Sequence, residues 1–256
     1  MDDLSQAAAR ALACLDLTDL SDDADSAGVE ALCRRADTRH GPVAAVCLWP
    51  RFVTEARGHL IGTGIRIATV VNFPTGAEPS EDVLALVERA REDGADEIDL
   101  VVPYRDLMEG QEETIPALVR RVKEAAGTAP VKAILETGVL GDEALIRKAA
   151  ERALLGGADF LKTSTGKVPI NATPVSGRIL LEAIAADAAD AGFKAAGGVR
   201  STADAAVYLE LADEIMGLDW ATPARFRIGA SGVLTPLLQT LDGQDSTEAP
   251  LPGVEY

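Results

Sequence analysis

Eight short β-rich runs, each followed by a longer amphipathic or alanine-rich segment, constrain this chain more than any other feature. The runs are ACLDLT (13–18), AAVCLWP (44–50), IRIATVVNF (65–73), EIDLVVP (97–103), VKAILETG (131–138), FLKTSTG (160–166), FKAAGG (193–198) and RFRIGAS (225–231). The segments between them carry helix signals. SEDVLALVERAREDGA (80–95) opens on acids and has Gly94 near its end, and DEALIRKAAERALLGGA (142–158) starts at an acid and stops at a glycine pair. Strands alternating with helices imply parallel pairing through crossovers. Eight such units in 256 residues is the size of a (β/α)8 barrel. The competing arrangement, an open doubly wound sheet, usually shows a glycine fingerprint after its first strand, and the turn after ACLDLT has none. The expectation is a single-domain α/β chain, a (β/α)8 TIM barrel over 1–242, with a flexible C-terminal tail over 243–256 where the sequence is polar and proline-rich.

Composition narrows the setting. At 47% hydrophobic and 25% charged, the chain has apolar material for a large core. Charges interrupt every long apolar stretch, so no transmembrane span is expected. The start, MDDLSQAAAR, is acidic and lacks the basic opening of a signal peptide. Cys14, Cys33 and Cys47 form no CxxC pair and are odd in number, which suits a reducing, cytoplasmic setting. A net charge of -17 argues against nucleic acid and anionic membranes as partners. An anionic ligand would need a local positive site built against that field.

Polar residues stand inside the strand patterns. Asp16 lies between Leu15 and Leu17, Asp99 between Ile98 and Leu100, Lys162 after Leu161 and Lys194 after Phe193. The period of two sends the aliphatics under the helices and the charges into the barrel, where barrel enzymes place their chemistry near the C-terminal strand ends. These four could instead be structural ion pairs, but buried pairs stabilise poorly, and four ionisable groups converging from four strands point to a site.

The lysines carry the sharper signal. The chain has six lysines against eighteen arginines, and two of the six stand five residues apart in ADFLKTSTGK (158–167). A free lysine, with a pKa near ~10.4, is neutral about once in 2,500 molecules at pH 7. A second cation nearby and burial both disfavour the charge and yield an amine nucleophile. Such an amine forms Schiff bases with carbonyls, which arginine cannot do. Asp99 could shuttle protons.

Lys167 lies beyond the strand, where a solvated loop charge is the ordinary reading. It has company: GGVRSTADAA (197–206) sets two glycines and Arg200 before a helix that Ser201 or Thr202 can cap, and GASGVLTPLL (229–238) sets a small-residue turn before the eighth helix. Glycine turns opening helices after strands seven and eight form the usual barrel phosphate site. Tight turn geometry alone could also account for them.

Together, ALACLDLTDL, VCLWPRFV, EIDLVVPYRDLMEG, ILETGVL, ADFLKTSTGK, GFKAAGGVRS and RFRIGASGVL resemble the deoxyribose-phosphate aldolase family over nearly the whole chain. The resemblance implies a class I aldolase that reversibly cleaves 2-deoxy-D-ribose 5-phosphate to acetaldehyde and D-glyceraldehyde 3-phosphate, without a cofactor, as a monomer or homodimer. It implies Lys162 as the Schiff-base lysine, Lys194 as the neighbour that tunes it, and Asp99 as an acid/base acting with Lys194 through water. Asp16, Thr18, Cys47 and Thr165 would line the sugar pocket. Gly166, Lys167, Gly197, Gly198, Gly229, Ser231 and Gly232 would surround the phosphate, and the C-terminal Tyr256 would assist proton transfer at the donor carbon.

Two positions depart from the family pattern: Ala195 stands where proline is usual, and Gly232 where a second serine is common. Lys132 and Glu136 either extend the charge network or form a simple structural pair. His40 and His59 sit in no ligand cluster, which argues against a zinc-dependent aldolase and for no metal. Cys47 has no histidine partner and reads better as pocket wall than as nucleophile. The rival functions are another Schiff-base barrel lyase or transferase acting on a phosphosugar, and a phosphosugar-binding protein without catalysis. The latter would have no reason to keep Lys162 beside Lys194.

Overall fold

The computed structural model describes residues 3–187 and 190–244. Tyr256 and nearly all of the expected tail therefore lie outside the described residues. Eight strands form the barrel: β1 (Leu15–Asp19), β2 (Ala45–Leu48), β3 (Arg66–Val71), β4 (Glu97–Val101), β5 (Val131–Ile134), β6 (Phe160–Lys162), β7 (Gly192–Ala196) and β8 (Phe226–Ala230). All neighbours pair in parallel in chain order, and β8 closes on β1.

Register follows from the pleat. Asp99 stands opposite Lys132, Lys162 opposite Lys194, Lys194 opposite Arg227, and Asp16 opposite Gly229. Side chains alternate along a strand, and aligned neighbours share a face, so this set lies on the barrel's inner side. The opposite parity supplies the layer under the helices. Leu15, Leu17, Ile98, Leu100, Leu161, Phe193, Phe226 and Ile228 are fully buried there, and each such side chain contributes about 1.5–3 kcal/mol by leaving water.

The helices begin where the sequence supplies caps. Asp142 accepts from the Ala144 and Leu145 N–H groups ahead of helix Glu143–Leu155. Ser201, rather than Thr202, caps helix Thr202–Met216 and completes a capping box with Asp204. The structure adds helix Asp3–Ala13, which packs on Thr202–Met216 and Leu234–Leu241 and ties Arg10 to Asp213 by two 2.6 Å bonds.

Several strands are shorter than their sequence runs, and the cause lies at the C-terminal barrel end. β3 stops because Asn72 takes φ 56°, and β5 stops short of Glu136 at φ 54°. A left-handed non-glycine residue persists only where its surroundings hold it. Asn72 is held by Val101, whose carbonyl accepts from Nδ2 at 2.8 Å, and by Glu78, whose N–H donates to Oδ1 at 2.8 Å. The chain after β6 leaves the ladder, but Thr163 Oγ1 donates to the Ala196 carbonyl and accepts from the Ala196 N–H, stitching it to β7.

Candidate active site

One ion network fills the barrel interior. Asp99, from the middle of β4, takes Lys132 Nζ on Oδ1 at 2.7 Å; its Oδ2 takes Lys162 Nζ at 2.7 Å and Lys194 Nζ at 2.8 Å. Lys194 also reaches Asp16 Oδ2 at 2.5 Å. Asp16, Asp99, Lys132 and Lys194 have no solvent exposure, whereas Lys162, the last residue of β6, keeps 3%. Lys162 is thus the buried lysine nearest the mouth.

Position decides the charge of each amine. Burial alone would discharge Lys194, but Asp16 and then Asp99 overcome it and hold it protonated well above the ordinary lysine range. Lys132 is raised for the same reason, by Asp99, Glu97 and Asp16 against its burial. Lys162 goes the other way. Burial pushes it down, Asp99 opposes, and the Lys194 charge adds to the lowering. The expected effect of a neighbouring cation is present, but desolvation leads. The carboxyls of Asp16 and Asp99 are held below their usual range, since the lysines around them, with Arg227 at Asp16, outweigh the burial that opposes their charge.

The balance of charge is consistent with that split. Within the bonded network Asp16, Glu97 and Asp99 are matched by Lys132, Lys194 and Arg227, so a proton on Lys162 is a surplus positive charge there; the other enclosed carboxyl that faces Lys162, Glu136, is bonded to Thr165 and raised by its burial. The interior is therefore a set of ion pairs in which Lys162, with Asp99 as its one acceptor, has fewer carboxylate partners than Lys132 or Lys194.

The remaining residues expected at the site divide between walls and rim. Thr18 Oγ1 donates to the Asp16 carbonyl at 2.8 Å. Cys47 is fully buried, and burial, with Asp99 adding, pushes its thiol up, so it stands as a neutral wall group near the lysines. Thr165 donates its hydroxyl to Glu136 Oε2 at 2.6 Å and its N–H to Oε1 at 3.1 Å. Glu136 thus braces the strand-six loop rather than pairing with Lys132, which belongs to the central network. Burial raises the Glu136 carboxyl against those bonds.

The turns after β6 and β7 meet through Asn171. Its Oδ1 accepts from the Gly166 N–H at 3.1 Å, and a Cβ at Gly197 would stand 2.7 Å from its side chain. Gly166, Gly197 and Gly198 all have positive φ, at 86°, 78° and 86°. Lys167 donates its N–H to Thr165 Oγ1 at 3.0 Å and extends Nζ to within 3.4 Å of Asp22. Ser231 and Gly232 lie just past β8, and a Cβ at Gly232 would meet nothing within 4 Å, so a serine would fit there. Ala195 is buried inside β7 with no exposure. Gly229 sits apart from the rim, inside β8. A Cβ there would be 2.8 Å from Lys194 Cε, so this glycine makes room for the lysine.

Two participants escaped the sequence reading. Glu97 accepts Lys132 Nζ at 2.6 Å, Arg227 Nη2 at 2.7 Å and Arg66 Nη1 at 3.1 Å. Arg227 Nη1 donates to Asp16 at 2.6 Å. Strand parity was the available signal, because Glu97 is two residues before Asp99 and Arg227 two before Gly229.

A closed parallel barrel with an amine isolated among charged neighbours at its strand ends defines a lysine-centred barrel enzyme. Residues 10–235 match the DeoC/LacD family aldolase profile, and the chain belongs to that family. It is 50% identical over 248 residues to a deoxyribose-phosphate aldolase of Agrobacterium fabrum, covering 95% of both chains. Its fold superposes with TM-score 0.87 on the apo crystal structure of a protein from Toxoplasma gondii described as a deoxyribose-phosphate aldolase. That pair shares 28% identity, over 95% of this chain and 99% of the other. A deoxyribose phosphate aldolase from Aeropyrum pernix, described as tetrameric, gives TM-score 0.73 at 28% identity over 93% and 97% of the two chains. Among the described residues, no helix is long and apolar enough to cross a membrane.

Proposed function

We propose that this aldolase, a lyase, reversibly cleaves 2-deoxy-D-ribose 5-phosphate to acetaldehyde and D-glyceraldehyde 3-phosphate through a Schiff base on Lys162. The observation that carries the assignment is the contrast among three buried lysines. Lys162 alone is lowered, and it alone keeps exposure. The neutral amine attacks the C1 aldehyde of the open-chain sugar, and loss of water gives the imine. The C2–C3 bond then breaks as its electrons move into the iminium and the C3 hydroxyl gives up its proton, releasing glyceraldehyde 3-phosphate. Protonation of the resulting enamine at C2 and hydrolysis release acetaldehyde.

Asp99 and Lys194, 2.8 Å apart, form the acid/base pair for these transfers, acting through a water: Lys194 carries the proton and the Asp99 carboxylate accepts it. Asp16, Thr18, Cys47 and Thr165 line the sugar's path. Lys167, with Gly166, Gly197, Gly198, Ser231 and Gly232, cradles the phosphate, supported by the junction of the two turns at Asn171. Gly229 makes room for Lys194. Imine chemistry requires no metal and no organic cofactor. Tyr256 assists protonation of the enamine, and Tyr256→Phe should slow deuterium exchange into acetaldehyde while leaving imine formation intact. The protein works as a monomer or homodimer in the cytoplasm on small phosphosugars and aldehydes; light scattering of the purified chain checks its assembly.

The test is reductive trapping. Borohydride with acetaldehyde should add one ethyl group at Lys162, located by peptide mapping. An ethyl group confined to Lys167 or Lys194, or no modification in active enzyme, overturns the assignment.

A further inference from the structure

The ion network does not end at the catalytic amines. It continues to the floor of the barrel through Arg227, the second residue of β8, which is 2% exposed. Each of its three guanidinium nitrogens is bonded. Nε donates to the Pro223 carbonyl at 2.5 Å, Nη2 to Glu97 Oε1 at 2.7 Å, and Nη1 to Asp16 Oδ1 at 2.6 Å and Glu97 Oε2 at 3.1 Å. The face of Phe160 lies 5.8 Å away. With Arg66 it borders a floor cavity of about 580 Å³, which His40, Pro42, Thr222 and Pro223 also line.

The shortest bonds of Arg227 go to the oxygens of Asp16 and Glu97 that face away from the amines, with a longer one to the Glu97 oxygen that takes Lys132. Asp16 turns Oδ1 to Arg227 and Oδ2 to Lys194; Glu97 turns Oε1 to Arg227 and Oε2 to Lys132. Both lysines then converge on Asp99, whose Oδ2 also takes Lys162. A planar fork can span two carboxylates at fixed angles, whereas an ammonium offers one point of charge.

We propose that Arg227 is a positioning residue for the aldol reaction: by bridging Asp16 and Glu97 from the floor, it fixes Lys194 and Lys132 on Asp99 and leaves Lys162 as the amine that reacts. It touches no substrate. Its influence reaches the mouth through two carboxylates. The proposal rests on Lys162 being the Schiff-base lysine.

Charge gives the proposal a sign. Lys162 faces Asp99 from β4, Lys194 from β7, Cys47 from β2 and Glu136 beyond β5, and these groups are the same in every variant compared. Without Arg227 the cluster lacks one positive charge, and Lys162 supplies it by keeping its proton to higher pH. Without the Glu97 charge the cluster lacks a negative one, and Lys162 loses its proton earlier. Trapping at Lys162 requires the neutral amine, so its rate rises with pH through the Lys162 titration. The rising limb should shift to higher pH in Arg227→Met and to lower pH in Glu97→Gln.

The experiment measures borohydride trapping by acetaldehyde against pH, with the ethyl group mapped, for the wild type, Arg227→Met, Arg227→Lys and Glu97→Gln, alongside kcat and KM on deoxyribose 5-phosphate. In Arg227→Met, trapping at neutral pH should fall about tenfold for every whole pH step by which the limb moves. There kcat should fall with it, and KM should change by less than about threefold because the phosphate contacts are untouched. Arg227→Lys keeps the charge and loses the fork. Its limb should lie between those of wild type and Arg227→Met, with kcat partly restored, and it carries the test alone if Arg227→Met fails to fold. Coincident limbs in folded variants, or shifts of the same sign in the Arg227 and Glu97 variants, overturn the proposal and leave Arg227 a structural ion-pair partner. An ethyl group mapped elsewhere in the wild type would instead overturn the assignment of Lys162, so the two failures are distinct.

Discussion

The floor and the mouth of this barrel hold ions at similar distances, but their partners differ in number. At the floor, Glu97 meets Lys132, Arg227 and Arg66, and Arg227 meets two carboxylates and a backbone carbonyl. At the mouth, Lys162 pairs with one oxygen of Asp99, and Lys194 takes that same oxygen. Saturated ions are stable and inert, because desolvation is answered by several charge-assisted bonds. An amine that shares its acceptor is answered incompletely, and its burial then favours the neutral form. On the proposed assignment of Lys162, reactivity comes from a shortage of partners at one end of an otherwise complete network.

Removing Lys194 should disturb the mouth most. Lys194→Leu should lower cleavage by about 10²–10⁴-fold, the range for lost acid–base assistance. It also frees Asp99 Oδ2 for Lys162 and removes a neighbouring positive charge, so Lys162 keeps its proton to higher pH. The trapping limb should therefore move upward in pH, and further than in Arg227→Met. An unmoved limb would mean that the two amines do not interact. Leaving Asp16 and Asp99 short of a cation costs about 3–5 kcal/mol, and circular dichroism should still show a folded barrel.

A smaller effect is expected at the rim, where Lys167 has a 3.4 Å contact to exposed Asp22. Lys167→Ala should raise KM for deoxyribose 5-phosphate about ten- to hundredfold, through loss of a charge-assisted hydrogen bond of roughly 1.5–3 kcal/mol. The rate on unphosphorylated deoxyribose should stay the same; an equal loss on both sugars would remove Lys167 from the phosphate grip.

The smallest change probes the packing between the two ends. Gly229→Ala would put a methyl 2.8 Å from Lys194 Cε and 3.2 Å from Ala196 Cβ. Lys194 is pinned by two carboxylates and yields little. Overpacking of about 1–3 kcal/mol should lower Tm by several degrees, and displacement of the ammonium should lower kcat by about three- to tenfold. Calorimetry and steady-state rates check both. An unchanged kcat would show that Lys194 tolerates movement that the mechanism forbids.

Much of the site was legible as alternation. Asp16, Asp99, Lys162 and Lys194 interrupt aliphatic runs at the parity that faces the barrel interior, and that parity needs no tertiary information. Glu97 and Arg227 obey the same rule, yet they stand at the first and second positions of their strands, where a charge is ordinarily read as a solvated end. The role of Gly229 was hidden for another reason. A small-residue turn and a glycine that clears space for a lysine are identical as letters, and only the 2.8 Å approach of Lys194 separates them. Glu136 illustrates the same limit, since its bond to Thr165 depends on a left-handed backbone that no local propensity favours.

What this sequence determined by itself was periodic. Eight strand–helix units prescribe a parallel barrel, and the two-residue repeat decides which side chains enter it. Family membership was likewise readable from motifs such as FLKTSTGK and FKAAGGVR. The tertiary structure decided how many partners each charge obtains. That number depends on strand register and on the reach of side chains from strands as distant in sequence as β1 and β8, where Asp16 and Arg227 are 211 residues apart and 2.6 Å in contact. Because the charge state of a buried amine is set by the difference between its desolvation and its contacts, which of the buried lysines is lowered is a property of the closed barrel and not of its residues taken singly.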